Sequence, residues 1–298
     1  MKSLKSKLGK TSLNICGGGS RGIIQLGMLK YWLETEQDFD MVIAGSVGSL
    51  NALLLLQGMY QEAEELWLKI QNKDVYTPRV ASLWKLFTDD GSLNSTEPLE
   101  KLIRKYYDYE KIKALPKPFI VNVTNLSLMT AEAKDVRYLT KEEGIKWILA
   151  SASPPILFPS VTWDSIQLVD CGLSSNYGLV QAVNENCDTV ICLTPTNYQP
   201  KKIKNLIDIV QATISTASFG YLEREAKSIE KVNRVIDLAN STLDDQHDLK
   251  KVNLCIVRPE MPWDQGLIDF NYKEDRKDLI RYGYDVAERQ LGKFLKSL

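Results

Sequence analysis

Histidine is nearly absent from this chain of 298 residues, and the shortage restricts its chemistry. The single copy, His247, lies in Leu243-Asp-Asp-Gln-His-Asp-Leu249, a polar stretch that reads as an exposed loop. A Ser-His-Asp triad would have to use it. If it is only a surface residue, any hydrolysis must run on a serine and a carboxylate without imidazole. The five cysteines, Cys16, Cys171, Cys187, Cys192 and Cys255, contain no C-x-x-C pair, so a zinc site is not expected. Their odd number argues against a disulfide framework and for a reducing compartment, so the expected setting is intracellular and cytoplasmic. Long hydrophobic runs are missing too: no 18 consecutive apolar residues occur, which removes the sequence signal of a spanning helix. Neither sign of charge dominates. Lys and Arg number 37 against 38 Asp and Glu, a net charge of −1 that gives no bulk attraction to nucleic acid. Residues 1–10 are Lys-rich and lack the apolar core of a secretory signal; they read as a flexible basic N-terminus.

What is present centres on Asp40-Met-Val-Ile-Ala-Gly-Ser-Val-Gly-Ser-Leu-Asn-Ala52. Met41, Val42 and Ile43 read as a buried strand, and Leu50 to Leu56 as a helix buried all round. Between them, Ala44-Gly45-Ser46-Val47-Gly48 fits a G-x-S-x-G nucleophile elbow with Ala44 at the first glycine. Small residues around Ser46 permit the sharp turn, and the helix N-terminus favours an anion beside it. The competing reading makes Ser46 a plain helix N-cap.

A second turn, Gly17-Gly18-Gly19-Ser20-Arg21-Gly22, follows a strand at Leu13–Cys16 and precedes a helix carrying Ile23, Leu26, Leu29 and Trp32. Its bare backbone N–H groups can hold a phosphate or an oxyanion. The pattern also matches G-x-G-x-x-G, but the nearby acids Asp38 and Asp40 precede the next strand, where a dinucleotide site wants the acid after it. A third feature, Asp170-Cys171-Gly172, ends a strand. Its aspartate either reaches across the sheet rim or bonds its own turn. Further strands are expected near 118–124, 161–169, 188–194 and 252–257. Helices are expected near 60–71, 97–107, 141–150, 202–243 (with a break at Gly220) and 273–298. Pro78 to Asn94, with Leu83, Trp84, Leu86 and Phe87, reads as a lid, a membrane-facing patch or a packed connection. Alternating strands and helices imply a mainly parallel sheet covered on both faces, and residues 11–298 read as one domain.

Taken in order, the three motifs resemble those of the patatin-like phospholipases: D-G-G-G-x-R/K-G, then G-x-S-x-G, then D-G-G or D-G-A. Ala150 to Pro159 also resembles the family segment before the aspartate strand, and the motif-bearing part covers residues 11–195. The resemblance implies a three-layer α/β/α fold and a Ser–Asp dyad without histidine, needing neither metal nor cofactor. Ser46 would be the nucleophile and Asp170 the base. The Gly17 to Gly22 turn would supply oxyanion donors, and Arg21 would steady the loop or meet a lipid phosphate. The expected activity is phospholipase A or lysophospholipase cleavage of acyl esters, with acyl transfer or a silent lipid-binding protein of the same fold as alternatives. Peripheral membrane contact and an activating protein are partners that the resemblance allows. Three residues depart from the pattern: Cys16 stands at the usual Asp, Ala44 at a Gly, and Cys171 within D-G-G.

Overall fold

A computed structural model describes residues 5–79, 91–197, 203–242, 250–260, 263 and 265–298. His247 and the apolar residues Leu83, Trp84, Leu86 and Phe87 lie outside the described residues. Among the described residues eight strands join in one sheet: β1 (Thr11–Ile15), β2 (Met41–Gly45), β3 (Phe119–Asn125), β4 (Thr130–Asp135), β5 (Val161–Trp163), β6 (Ile166–Val169), β7 (Thr189–Leu193) and β8 (Asn253–Val257). The spatial order is β8-β7-β1-β2-β3-β6-β5, with β4 hairpinned onto β3. Strands β8, β7, β1, β2 and β3 are parallel, and the β4, β5 and β6 pairings are antiparallel.

The central strands are apolar on both sides because both faces are covered, as in parallel sheets generally. Alternate residues enter separate cores. Leu13, Ile15, Val42, Ala44, Ile191 and Leu193 pack on one face against α1 (Gly22–Glu34), α2 (Val47–Leu56), α3 (Tyr60–Lys69), α4 (Glu97–Tyr106), α5 (Lys141–Ser151) and, at the far side, α8 (Arg276–Ser297). Cys16, Met41, Ile43, Val190 and Cys192 pack on the other against α6 (Leu179–Asn184) and α7 (Leu206–Thr242). The arrangement is the expected three-layer α/β/α fold. Helix α7 runs unbroken through Gly220, where the sequence suggests a break; an added Cβ there would meet only the end of Arg224, so no packing demand disturbs the helix. At the N-terminus Leu8 is buried and the Lys10 N–H donates to Asp188, so the end of the expected tail is part of the fold.

One register detail positions the site. β2 pairs with β3 as far as Gly45 opposite Asn122, then turns off. The hairpin partner β4 fills the other edge of β3 from Ile120 to Asn125. The edge vacated by β2 is therefore taken by β6, which pairs Val169 with Thr124 and Leu168 with Asn125. The residue after β2 and the residue after β6 are brought to the same place on one strand. They are Ser46 and Asp170.

Candidate active site

Ser46 sits at φ 50° and ψ −133°, a conformation that side chains other than glycine rarely adopt. The strain falls on the serine itself, while Ala44 remains in the strand with its methyl in the core. Ser46 precedes α2 but its side chain makes no cap bond to that helix, so the N-cap reading fails. Its hydroxyl instead donates to Asp170 Oδ2 at 2.6 Å. The backbone is held from the far side: Ser46 N–H donates to Ser151 Oγ (2.9 Å), whose own proton goes to the Asn122 carbonyl (2.7 Å).

Asp170 is fixed at four points. Its N–H donates to the Ser153 carbonyl (2.9 Å), and its carbonyl accepts from Thr124 Oγ1 (2.8 Å). Its Oδ1 accepts the Gly172 N–H (2.7 Å), and Oδ2 accepts from Ser46. Both sequence readings of this aspartate are therefore present, one on each oxygen. Burial dominates its ionisation. The carboxyl is 4% exposed, and desolvation raises its pKa from 3.8 to about 6, although both hydrogen bonds pull the other way.

The glycine turn lies directly against the serine. A Cβ on Gly17 would stand 2.4 Å from Ser46 Cβ, so no larger residue fits. The turn's donors are mostly spent on the fold. Gly17 N–H donates to Asn176 Oδ1 (2.8 Å), Ser20 N–H to the Leu267 carbonyl (2.8 Å), and the Arg21 and Gly22 amides fold back on Gly18 and Gly19. The Gly18 and Gly19 amides have no partner among the described residues. The expectation that the whole Gly17 to Gly22 turn supplies donors thus narrows to two. Ser20 Oγ donates to the Gly266 carbonyl, and Arg21 donates to the Gln265 carbonyl (2.8 Å), so the cation steadies the loop.

Gly17, Gly18, Gly19, Arg21, Ser46, Val47, Asp170 and Gly172 all line one cleft of about 1120 Å³, solvent at its mouth included. Ser20, Gly22, Ala44, Gly45, Gly48 and Cys171 lie behind it. The walls are apolar, with Leu54, Leu66, Trp67, Ile103, Phe158 and Phe270 among them, and among the described residues Arg21 and Asp170 are the only charged side chains in the lining. Cys171 fits because Gly45 leaves it room: a Cβ at Gly45 would stand 2.4 Å from the Cys171 sulfur. Cys16 turns to the other face and packs against Cys192, Sγ to Sγ 3.3 Å, where burial raises its pKa. Neither acid of the dinucleotide reading reaches the glycine turn. Asp40 accepts the Thr11 N–H at the opposite end of β1, and Asp38 pairs with Lys117.

Three site residues are not singled out in the sequence, although Ser151 falls within the Ala150 to Pro159 segment. Asn176 bridges the Gly17 N–H to Ser218 Oγ on α7 (2.8 Å each), and Ser151 carries the Ser46 amide. Each is a lone polar residue outside the Gly-rich and Asp-Cys-Gly signals. Only their burial, invisible in sequence, marks them.

The profile of the patatin-like phospholipases matches residues 13–183, more than half of the chain. The chain belongs to the patatin-like phospholipase family. Among curated patatin-like relatives, it is 24% identical over 194 residues to "Lysophospholipase NTE1" of Eremothecium gossypii, covering 61% of this chain and 12% of that protein. The same-named protein of Candida glabrata is 23% identical over 181 residues (59% and 10%), and that of Scheffersomyces stipitis 24% identical over 254 (74% and 15%). The chain therefore spans no more than 15% of the length of these relatives. A crystal structure of VipD from Legionella pneumophila aligns with 97% of this chain and 67% of that one, at a TM-score of 0.45 and 14% identity. No helix among the described residues is long and apolar enough to cross a membrane.

Proposed function

We propose that this patatin-like chain is a lipid acyl hydrolase of phospholipase A or lysophospholipase type. The observation that carries this reading is the 2.6 Å Ser46–Asp170 hydrogen bond at the base of an apolar cleft. Asp170 takes the proton from Ser46 Oγ as that oxygen attacks the ester carbonyl. A carboxylate is a weak base in water, but a pKa near 6 brings it close to neutral working conditions. The developing oxyanion lies against the Gly18 and Gly19 N–H groups, which are oriented beforehand and need no rearrangement. Collapse of the tetrahedral intermediate breaks the ester C–O bond, and the leaving alkoxide recovers the proton from Asp170. Water then attacks the acyl-Ser46 ester with Asp170 again as base, releasing the fatty acid and the free serine.

The apolar walls favour a fatty acyl chain, and among the described residues the one cation of the lining, Arg21, is committed to the Gln265 carbonyl, which makes the acyl chain, rather than a head group, the main source of binding. The "lysophospholipase" name of the relatives agrees with that substrate class. A fluorophosphonate probe and a lysophosphatidylcholine assay test the reading. Labelling and release of fatty acid are expected from the native chain and from neither Ser46→Ala nor Asp170→Asn. Tight fatty-acid binding without labelling would identify a silent lipid-binding protein instead.

A further inference from the structure

Two apolar prongs stand beyond the cleft on the same rim of the sheet. The first is the turn joining β3 to β4, where Leu126, Leu128 and Met129 are 41%, 62% and 89% exposed. Met129 has φ 56°, a position that favours Gly or Asn, yet it presents a long apolar side chain to solvent. The second is the start of α7, where Leu206, Ile207 and Ile209 are each 45% exposed or more.

Their heights match. Leu126 is four residues past Asn122, the partner of Gly45 beside the nucleophile; at about 3.3 Å per residue that is on the order of 13 Å beyond Gly45. Helix α7 descends from the rim, because Asn233 farther along it bonds Val252 at the foot of β8. Ser218, tied to Asn176, marks the level of the site. Ile209 lies nine residues above it, again on the order of 13 Å at 1.5 Å per residue. The two prongs flank the site, since β3 lies on one side of Ser46 and α7 covers the other.

The second prong is continuous with the cleft. Ile207, Val210 and Ile214 follow helical spacing. Val210 and Ile214 are buried, Ile214 lines the cleft, and Ile207 extends the same stripe into solvent. Charge narrows the occupant. The turn Leu126–Met129 has no charge, and the sequence from Lys201 to Ile209 carries Lys201, Lys202 and Lys204 against Asp208 alone, a net positive charge that suits a surface with anionic lipid.

We propose that these prongs seat the protein on a lipid bilayer that contains anionic lipid, with the cleft facing the acyl chains. The stripe from Ile207 to Ile214 then gives a chain an apolar path inward. That path rests on the acyl-ester reading; the docking itself does not.

Flotation with vesicles of phosphatidylcholine and phosphatidylglycerol, using Ser46→Ala protein so that no lipid is consumed, tests the proposal. The Ser46→Ala protein is expected to float. Adding Leu128→Asp with Met129→Asp, or Ile209→Asp, is expected to lower partitioning by on the order of tenfold, since each replaces a buried apolar contact with a charge. Val235→Asp, exposed on the distal part of α7, is expected to change nothing. Circular dichroism checks folding, and the same substitutions with Ser46 intact should leave hydrolysis of a soluble short-chain ester unchanged. Failure of the Ser46→Ala protein to float, equal flotation of all variants, or loss of a dimer in place of loss of flotation would overturn the proposal. Absent ester hydrolysis with the flotation pattern intact would remove the hydrolase reading and leave the docking face standing.

Discussion

Replacing Asp170 with Asn should destroy activity and, at neutral pH, make the protein more stable. The side chain is buried, and its pKa is raised from 3.8 to about 6. A raised carboxyl pKa means that the folded state holds its proton more tightly than the unfolded chain does. Between pH 3.8 and about 6 the unfolded chain has lost this proton while the folded state keeps it. Stability therefore falls as pH rises through this window, and above it the full cost of a buried carboxylate is present. The displacement amounts to about 3 kcal/mol at most, of which roughly 2–3 kcal/mol develops between pH 4 and pH 8. Asparagine has the same shape and does not titrate. Its Oδ1 can accept the Gly172 N–H and its Nδ2 can donate to Ser46 Oγ, whose own proton can turn into the cleft that Ser46 lines. Urea unfolding of the parent and Asp170→Asn at both pH values isolates this one group, because all other titrations are common to the two proteins. The variant's stability relative to the parent should rise by roughly 2–3 kcal/mol from pH 4 to pH 8. A difference that stays constant, or moves the other way, would refute the claim that burial dominates at Asp170.

The same titration sets the pH profile: kcat/KM on a soluble ester should fall below pH 6 as the base becomes protonated, and flatten above it. Asn176→Ala removes the acceptor that seats Gly17, so kcat should drop on the order of tenfold to a hundredfold while KM moves little. An equal loss in KM would show that Asn176 shapes the cleft rather than the donors. Gly45→Ala drives a methyl against the Cys171 sulfur and should cost about 1–3 kcal/mol in denaturant unfolding. Adding Cys171→Gly should recover part of that loss, and strict additivity would show that the two positions are not coupled.

The residues proposed to react could be picked out in the sequence because each sits in local backbone chemistry that needs small residues: Gly17 against Ser46, Gly45 against Cys171. Strand and helix positions followed from apolar periodicity, which works where both faces of a sheet are covered. The pairing of β6 on the vacated edge of β3 left no such trace, because pairing partners 43 or more residues apart impose no spacing on either segment. Asn176, Ser151 and Ser218 escaped for a related reason. A buried polar residue whose partner lies on another element looks like any loop or helix Ser or Asn until the chain is folded. The suggested break at Gly220 failed because glycine lowers helix propensity by only about 1 kcal/mol, which the packing of Leu222 and Ile229 outweighs.

One long strand serves two short ones in tandem, and this separates geometry from chain length. Ser46 and Asp170 are 124 positions apart in the chain, yet their anchors on Phe119–Asn125 are neighbouring rungs, Asn122 and Thr124. The span between the two hydrogen-bonded side-chain oxygens is measured by that ruler alone. The segments looped out between them can lengthen, shorten or be exchanged, and the spacing that the chemistry needs is inherited unchanged.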